Sequence, residues 1–150
     1  YDNVRIGMNS RLDALQAAVL DVKLTAFERD ELTAVNRAAG WYGEALAGLP
    51  LALPVVPEGF YSSWAQYTVR AADRQTRDAL QAALKARGIP TMVYYPKPMH
   101  SQTAFRGVRQ YVPCPNAEHL CGTVLSLPMH PYLDQETVQT VAEGVRAHFA

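Results

Sequence analysis

Over residues 10–27 the chain reads SRLDALQAAVLDVKLTAF, and at the α-helical period its apolar side chains fall on two stripes. Leu12, Leu15, Val19, Val22 and Ala26 form one; Leu20, Leu24 and Phe27 form the other. A helix that is apolar on two sides needs two neighbours. The second neighbour is either a further part of the same polypeptide or another subunit, and this requirement constrains the fold more than any other stretch does. Ser10 followed by Asp13 resembles a short capping box, which predicts that the helix begins at Ser10.

A second helix is predicted over 28–46, where Leu32, Val35, Ala38, Ala39, Tyr42, Ala45 and Leu46 recur every three or four residues until Gly48 and Pro50 end it. A proline-rich connector, 51–59, leads to a strand over 64–71. There Ala65, Tyr67, Val69 and Ala71 alternate with Trp64, Gln66, Thr68 and Arg70. Asp73 caps a helix that runs to Arg87 and stops at Gly88. A β-rich stretch, 89–95, precedes a loop carrying Pro96, Pro98, His100 and Phe105. A short helix over 116–123 and a strand over 124–127, halted by Pro128, come next. Last, Asp134 caps a helix bearing Val138, Val141, Ala142, Val145 and Phe149 on one face. The expected fold is a small two-layer α/β domain with a short, mostly antiparallel sheet backed by helices, preceded by two long helices. The division falls near residue 50, with helices in 1–50 and the α/β unit in 51–150.

Composition removes several function classes. The 14 Lys+Arg balance 14 Asp+Glu, and only three of the bases are lysines, so there is no basic face to displace counterions from nucleic acid. Pro50, Pro54 and Pro57 break the longest apolar run, which leaves no candidate membrane span. The start, Tyr1-Asp2-Asn3-Val4-Arg5, has neither methionine nor a signal-peptide core and reads as part of a longer protein. Cys114 and Cys121 lie seven apart and read as reduced, cytosolic thiols. With His119 and His130 they match none of the usual zinc spacings, so no metal site is expected.

Four places carry chemistry. Gly7-Met8-Asn9-Ser10-Arg11 sits at a predicted helix start, where free N–H groups, an amide and a guanidinium suit a phosphate or carboxylate. The plainer reading is that Asn9 and Ser10 only cap the helix. Tyr94-Tyr95-Pro96-Lys97-Pro98-Met99-His100 puts two phenols, an ammonium and an imidazole on one stiff loop, which suits a binding site or the packing of one tyrosine in the core. Leu127-Pro128-Met129-His130-Pro131-Tyr132 reads as a structural turn, and the aromatics of Ser63-Trp64-Ala65-Gln66-Tyr67 as core. No Ser/His/Asp order, glycine-rich phosphate loop or carboxylate pair is visible.

Together, GMNSRLDALQAAVLDVKL, SSWAQYTVR, GIPTMVYYPKPMHSQTAF and VLSLPMHPYLDQETV, in this order and spacing, resemble the C-terminal portion of DegT/StrS-type sugar aminotransferases. The resemblance implies the small C-terminal domain of a fold-type I enzyme, preceded by a helical segment that links to a large domain and forms a dimer interface. Such enzymes are homodimers dependent on pyridoxal 5'-phosphate that exchange an amino group between glutamate and a nucleotide-linked keto sugar, in the cytoplasm. The wording AQYTVR and LPMHPYLD resembles most the branch acting on nucleotide-linked 3-keto hexuronic acids. By position, Asn9 matches the asparagine that reaches the cofactor phosphate of the neighbouring subunit, and Arg11 an arginine beside the substrate. Tyr95 matches the tyrosine of a V-H-Y-P block and Tyr94 stands where many relatives carry histidine; these two and His100 are expected to line the sugar pocket. The Schiff-base lysine of the family belongs to the large domain. Lys23, Lys85 and Lys97 fall in the wrong blocks to replace it, so the segment alone is expected to be inactive. The alternative is a non-catalytic binding or regulatory module of the same fold.

Overall fold

The computed structural model describes residues 1–110 and 112–150. Its first helix, α1, spans Ala14–Ala26, and the cap is Asp13, whose carboxylate accepts from the backbone N–H of Gln16 at 2.8 Å. The start predicted at Ser10 is therefore too early. Ser10 instead donates its N–H to Met8 O at 3.0 Å, and the charged Asp13 takes the cap position three residues on. Asn9 lies four residues ahead of the cap rather than one.

Nor do α1 and the next helix separate. The chain passes through one π-helical stretch, Phe27–Glu31, into α2, Leu32–Ala45, and the Leu32 N–H bonds back to Phe27 O. No glycine or proline stands in this region to stop the helix, so the two predicted helices form one rod with a widened turn.

The two halves of that rod differ. α1 buries no residue, whereas α2 buries Val35, Ala38, Ala39 and Tyr42. They pack on α5, Gln135–Phe149, whose stripe Val138, Val141, Ala142 and Val145 is buried as its spacing predicts. α3, Arg74–Ala86, adds Leu80 and Leu84. At Gly144 a Cβ would come within 2.8 Å of Ile89 Cδ1 and 3.0 Å of Leu84 Cδ2, so the missing side chain is what lets α5 sit this close to the end of α3.

Strands β1, Tyr67–Arg70, and β2, Val124–Leu127, pair antiparallel, with Tyr67 opposite Leu127 and Val69 opposite Leu125. Single bridges, Ala52 to Arg70 and Met92 to Ser126, extend the sheet at either side. The antiparallel α/β architecture expected from the sequence is present, with shorter strands. Trp64 has φ +46°, a left-handed turn that delays β1 to Tyr67. The stretch 89–95 contributes only the Met92 bridge, since prolines at 90 and 96 remove N–H donors. A short α4, Pro115–Thr123, runs directly into β2.

Asp73 and Asp134 cap α3 and α5 by accepting from the N–H groups of Thr76 and Thr137, each at 2.8 Å. Those bonds hold both carboxyls below the ordinary aspartate range. A folded-state pKa below the unfolded one means stability that is whole above about pH 4 and is lost as pH falls through the lower folded value. The melting temperature is therefore expected to drop on acidification below about pH 4, and the Asp73→Ala, Asp134→Ala double variant to start lower and fall less steeply. Thermal melts from pH 6 to pH 2 check this.

Candidate functional site

Residues 1–3 return to the loop after Tyr95. The Asp2 carboxylate accepts from Thr103 N at 2.9 Å and Thr103 Oγ1 at 2.8 Å, and pairs with Lys97 Nζ at 2.8 Å. These partners, the Lys97 ammonium first, keep its carboxyl well below the usual carboxylate range. Beside it, Ala104 N donates to Asn3 O at 2.8 Å and Asn3 N to Gln102 Oε1 at 3.2 Å.

Over this junction three phenol rings gather. Tyr1 meets Tyr94 and Tyr95 edge-on at 5.8 and 5.6 Å between centroids, and Tyr94 meets Tyr95 at 5.6 Å. Burial against the cluster and the Tyr94 hydroxyl push the Tyr1 phenol above its ordinary pKa. Tyr95, Lys97, Met99, Gln102, Asn3 and Tyr1 line a cavity of about 470 Å³, with the partly exposed Cys121 at its edge. Tyr94 faces another hollow, about 310 Å³, against the sheet edge at Met92 and Ser126. The loop thus keeps Tyr95 55% exposed rather than packed in the core. His100 turns its Nε2 to Glu118 Oε1 on α4 at 3.1 Å.

The structure brings Tyr94, Tyr95 and His100 onto one loop but leaves Asn9 and Arg11 exposed on the stretch before α1. Among the described residues no hydrogen bond or ion pair joins either of them to the aromatic loop. The α1 N-terminus carries the Asp13 carboxylate on its Gln16 N–H, so the helix end that the sequence suggested for an anion next to Asn9 lies four residues further on and already holds one negative charge.

The turn after β2 is structural, as its sequence suggested: Tyr132 N donates to His130 Nδ1 at 3.2 Å, and the Tyr132 hydroxyl donates to Glu31 Oε1 at 2.7 Å. Lys23 closes on the same Glu31 oxygen, so this buried carboxylate joins α1, the π-helical stretch and the turn. Trp64 stacks on Tyr67 at 5.5 Å and donates its indole N–H to Asn36 at 3.0 Å, a core role. The Asp2–Thr103 and Glu31–Tyr132 contacts have no sequence signal, because each joins residues 101 positions apart. Among the described residues no group of three or more His, Cys, Asp or Glu gathers as a metal site, and no helix is long and apolar enough to cross a membrane.

This arrangement recurs in known proteins. The sequence pattern of the DegT/DnrJ/EryC1/StrS aminotransferase family matches residues 1–146. The chain belongs to that family. Among DegT/DnrJ/EryC1/StrS relatives, the UDP-N-acetyl-3-dehydro-alpha-D-glucosamine 3-aminotransferase of Acidithiobacillus ferrooxidans is 43% identical over 150 residues, covering 97% of this chain and 38% of that protein. The UDP-2-acetamido-2-deoxy-3-oxo-D-glucuronate aminotransferase of Pseudomonas aeruginosa is 39% identical over 145 residues, covering 97% of this chain and 39% of the relative. A crystal structure of a DegT/DnrJ/EryC1/StrS aminotransferase from Brucella abortus superposes with a TM-score of 0.82 at 44% identity, over 100% of this chain and 39% of that one. The chain thus spans about two-fifths of the length of the family members it matches. Both relatives are named for UDP-linked sugars with a keto group at C3, and that of Pseudomonas aeruginosa for a glucuronate, the 3-keto hexuronic acid chemistry expected from the resemblance of AQYTVR and LPMHPYLD.

Proposed function

We propose that this chain is the C-terminal part of a cytoplasmic, pyridoxal 5'-phosphate-dependent aminotransferase that moves an amino group from glutamate to a nucleotide-linked 3-keto sugar. The observation that carries the reading is the 43% identity, across 97% of the chain, to an aminotransferase of a UDP-linked 3-keto sugar. Residues 1–50 are proposed to link to the large domain and the dimer partner, and 51–150 to form the small domain. The rival reading, a binding module without chemistry, has no specific observation in its favour.

The residues of this chain do not by themselves build a cofactor cradle. Lys23 is committed to Glu31 and Lys97 to Asp2, and the α1 N-terminus carries an anionic cap. Asn9, exposed and carrying an amide N–H, fits the narrower task of donating one hydrogen bond to a phosphate held mainly by protein outside these residues. When bound, pyridoxal phosphate supplies an electron sink for the amino-group exchange. What this chain adds is placement of the sugar. Tyr95 and His100 offer an aromatic face and an imidazole on a loop stiffened by Pro96 and Pro98, and Arg11 offers a planar fork for a carboxylate or diphosphate.

The full-length protein, given glutamate and a UDP-linked 3-keto hexuronic acid, is expected to yield the 3-amino sugar, and residues 1–150 alone to yield none. Mass spectrometry of the sugar product decides. Full-length protein that holds pyridoxal phosphate yet transfers no amino group to any 3-keto sugar would reject the reading.

The homodimer is proposed on α1. Leu15, Val19 and Val22 there are 70% or more exposed, an apolar stripe that a monomer of this chain leaves in water. Val19→Asp is expected to shift full-length protein from dimer toward monomer in sedimentation, while Asp21→Asn, off that stripe, leaves the dimer intact.

A further inference from the structure

We propose that Asp2 is a positioning residue for the sugar-binding loop: through Lys97 and Thr103 it holds residues 97–104 in place, so that Lys97, Gln102 and the neighbouring Tyr95 keep fixed positions around the cavity. This rests on the functional reading above and assigns the carboxylate a part in it. Both oxygens are used. Oδ1 takes the Thr103 N–H, while Oδ2 takes the Thr103 hydroxyl and the Lys97 ammonium, so one side chain grips the loop at two points six residues apart. The neighbouring Asn3 adds a backbone bond to Ala104 and one to the buried Gln102.

Besides the clasp, the gripped segment is ordered by its own turn bonds and by the buried Gln102. It consists of two single-turn helices, Met99–Ser101 and Thr103–Phe105, and is held on its other side by the His100 to Glu118 contact. Lys97 and Gln102, both tied by the clasp, line the same cavity as Tyr95. The clasp also stands apart from the hydrophobic core: residues 1–13 bury no side chain, and the core is built from 38–46, the sheet, α3, α5 and the loop residues Ile89, Val93 and Leu133. Removing it is therefore expected to move the loop without unfolding the domain, which is what separates placement from stability.

The experiment uses the full-length holoenzyme with Asp2→Asn and Asp2→Ala. Asparagine keeps an acceptor for Thr103 but loses the charge facing Lys97; alanine loses both. The expected result is a KM for the keto sugar raised about tenfold or more in Asp2→Ala and less in Asp2→Asn. The glutamate half-reaction, read by cofactor absorbance, is expected to stay at wild-type values, and the protein to stay folded with a melting temperature lowered only modestly by the lost carboxylate contacts. Hydrogen exchange at the Thr103 and Ala104 amides is expected to quicken in Asp2→Ala. An unchanged sugar KM in both variants of an active enzyme overturns the proposal, and so does an equal loss in both half-reactions. If the wild-type enzyme aminates no keto sugar, the functional reading fails instead. Amide exchange still tests the clasp in that event, and unaltered exchange in Asp2→Ala overturns it.

Discussion

Asn9→Ala in the full-length enzyme is expected to weaken pyridoxal phosphate binding by roughly ten- to a hundredfold, since one hydrogen bond to a charged group contributes about 1.5–3 kcal/mol. Arg11→Lys keeps the charge and loses the planar fork, so it is expected to raise the sugar KM while the cofactor titration stays at wild type. The two variants separate two anions. Both residues lie exposed ahead of Asp13, so neither substitution disturbs a packed side chain, and changes in affinity report on the site rather than on folding. Cofactor titration by absorbance and sugar-dependent initial rates check the pair. Wild-type values in both variants would remove Asn9 and Arg11 from the site.

The largest expected stability effect lies at Tyr42. Its ring is fully buried, stacks on Tyr67 at 4.8 Å, and its hydroxyl donates to Pro128 O at 2.9 Å. Burial pushes the Tyr42 phenol far above its ordinary pKa and the Tyr67 phenol up to about 12, so both stay neutral through the physiological range. Tyr42→Ala is expected to cost about 3–5 kcal/mol, the range for emptying a large aromatic site in a core. Tyr42→Phe keeps the ring and orphans the Pro128 carbonyl, at about 1–3 kcal/mol. Urea unfolding of both variants gives the two values, and Tyr42→Phe as costly as Tyr42→Ala would mean that the hydrogen bond, not the packing, dominates.

Local patterns carried much of the fold. Asp73 and Asp134 were readable as caps because each precedes a clean apolar stripe, and the stripe on α5 is the buried one. At the start of α1 two cap formers, Ser10 and Asp13, compete within one turn; the capping-box spacing points to Ser10, and the backbone takes Asp13. The join through Phe27–Glu31 was invisible, because a widened turn keeps the helical pattern and merely shifts it. In the site, prolines on both sides of Lys97 marked the loop of Tyr94, Tyr95 and His100. The clasp by Asp2 was out of reach, since nothing local to DNV refers to a threonine 101 residues away.

The π-helical stretch has a consequence for how the rod divides its labour. An α-helix advances about 100° per residue, so one extra residue in a turn rotates everything upstream by about that angle relative to everything downstream. Phe27–Glu31 therefore acts as a phase shifter. The apolar stripe of α2 can face α5 while that of α1 points elsewhere, along one unbroken axis. Deleting a single residue there would leave the helix continuous and swing Leu15 and Val19 by roughly a quarter turn, so that the rod presents a different azimuth to whatever covers it.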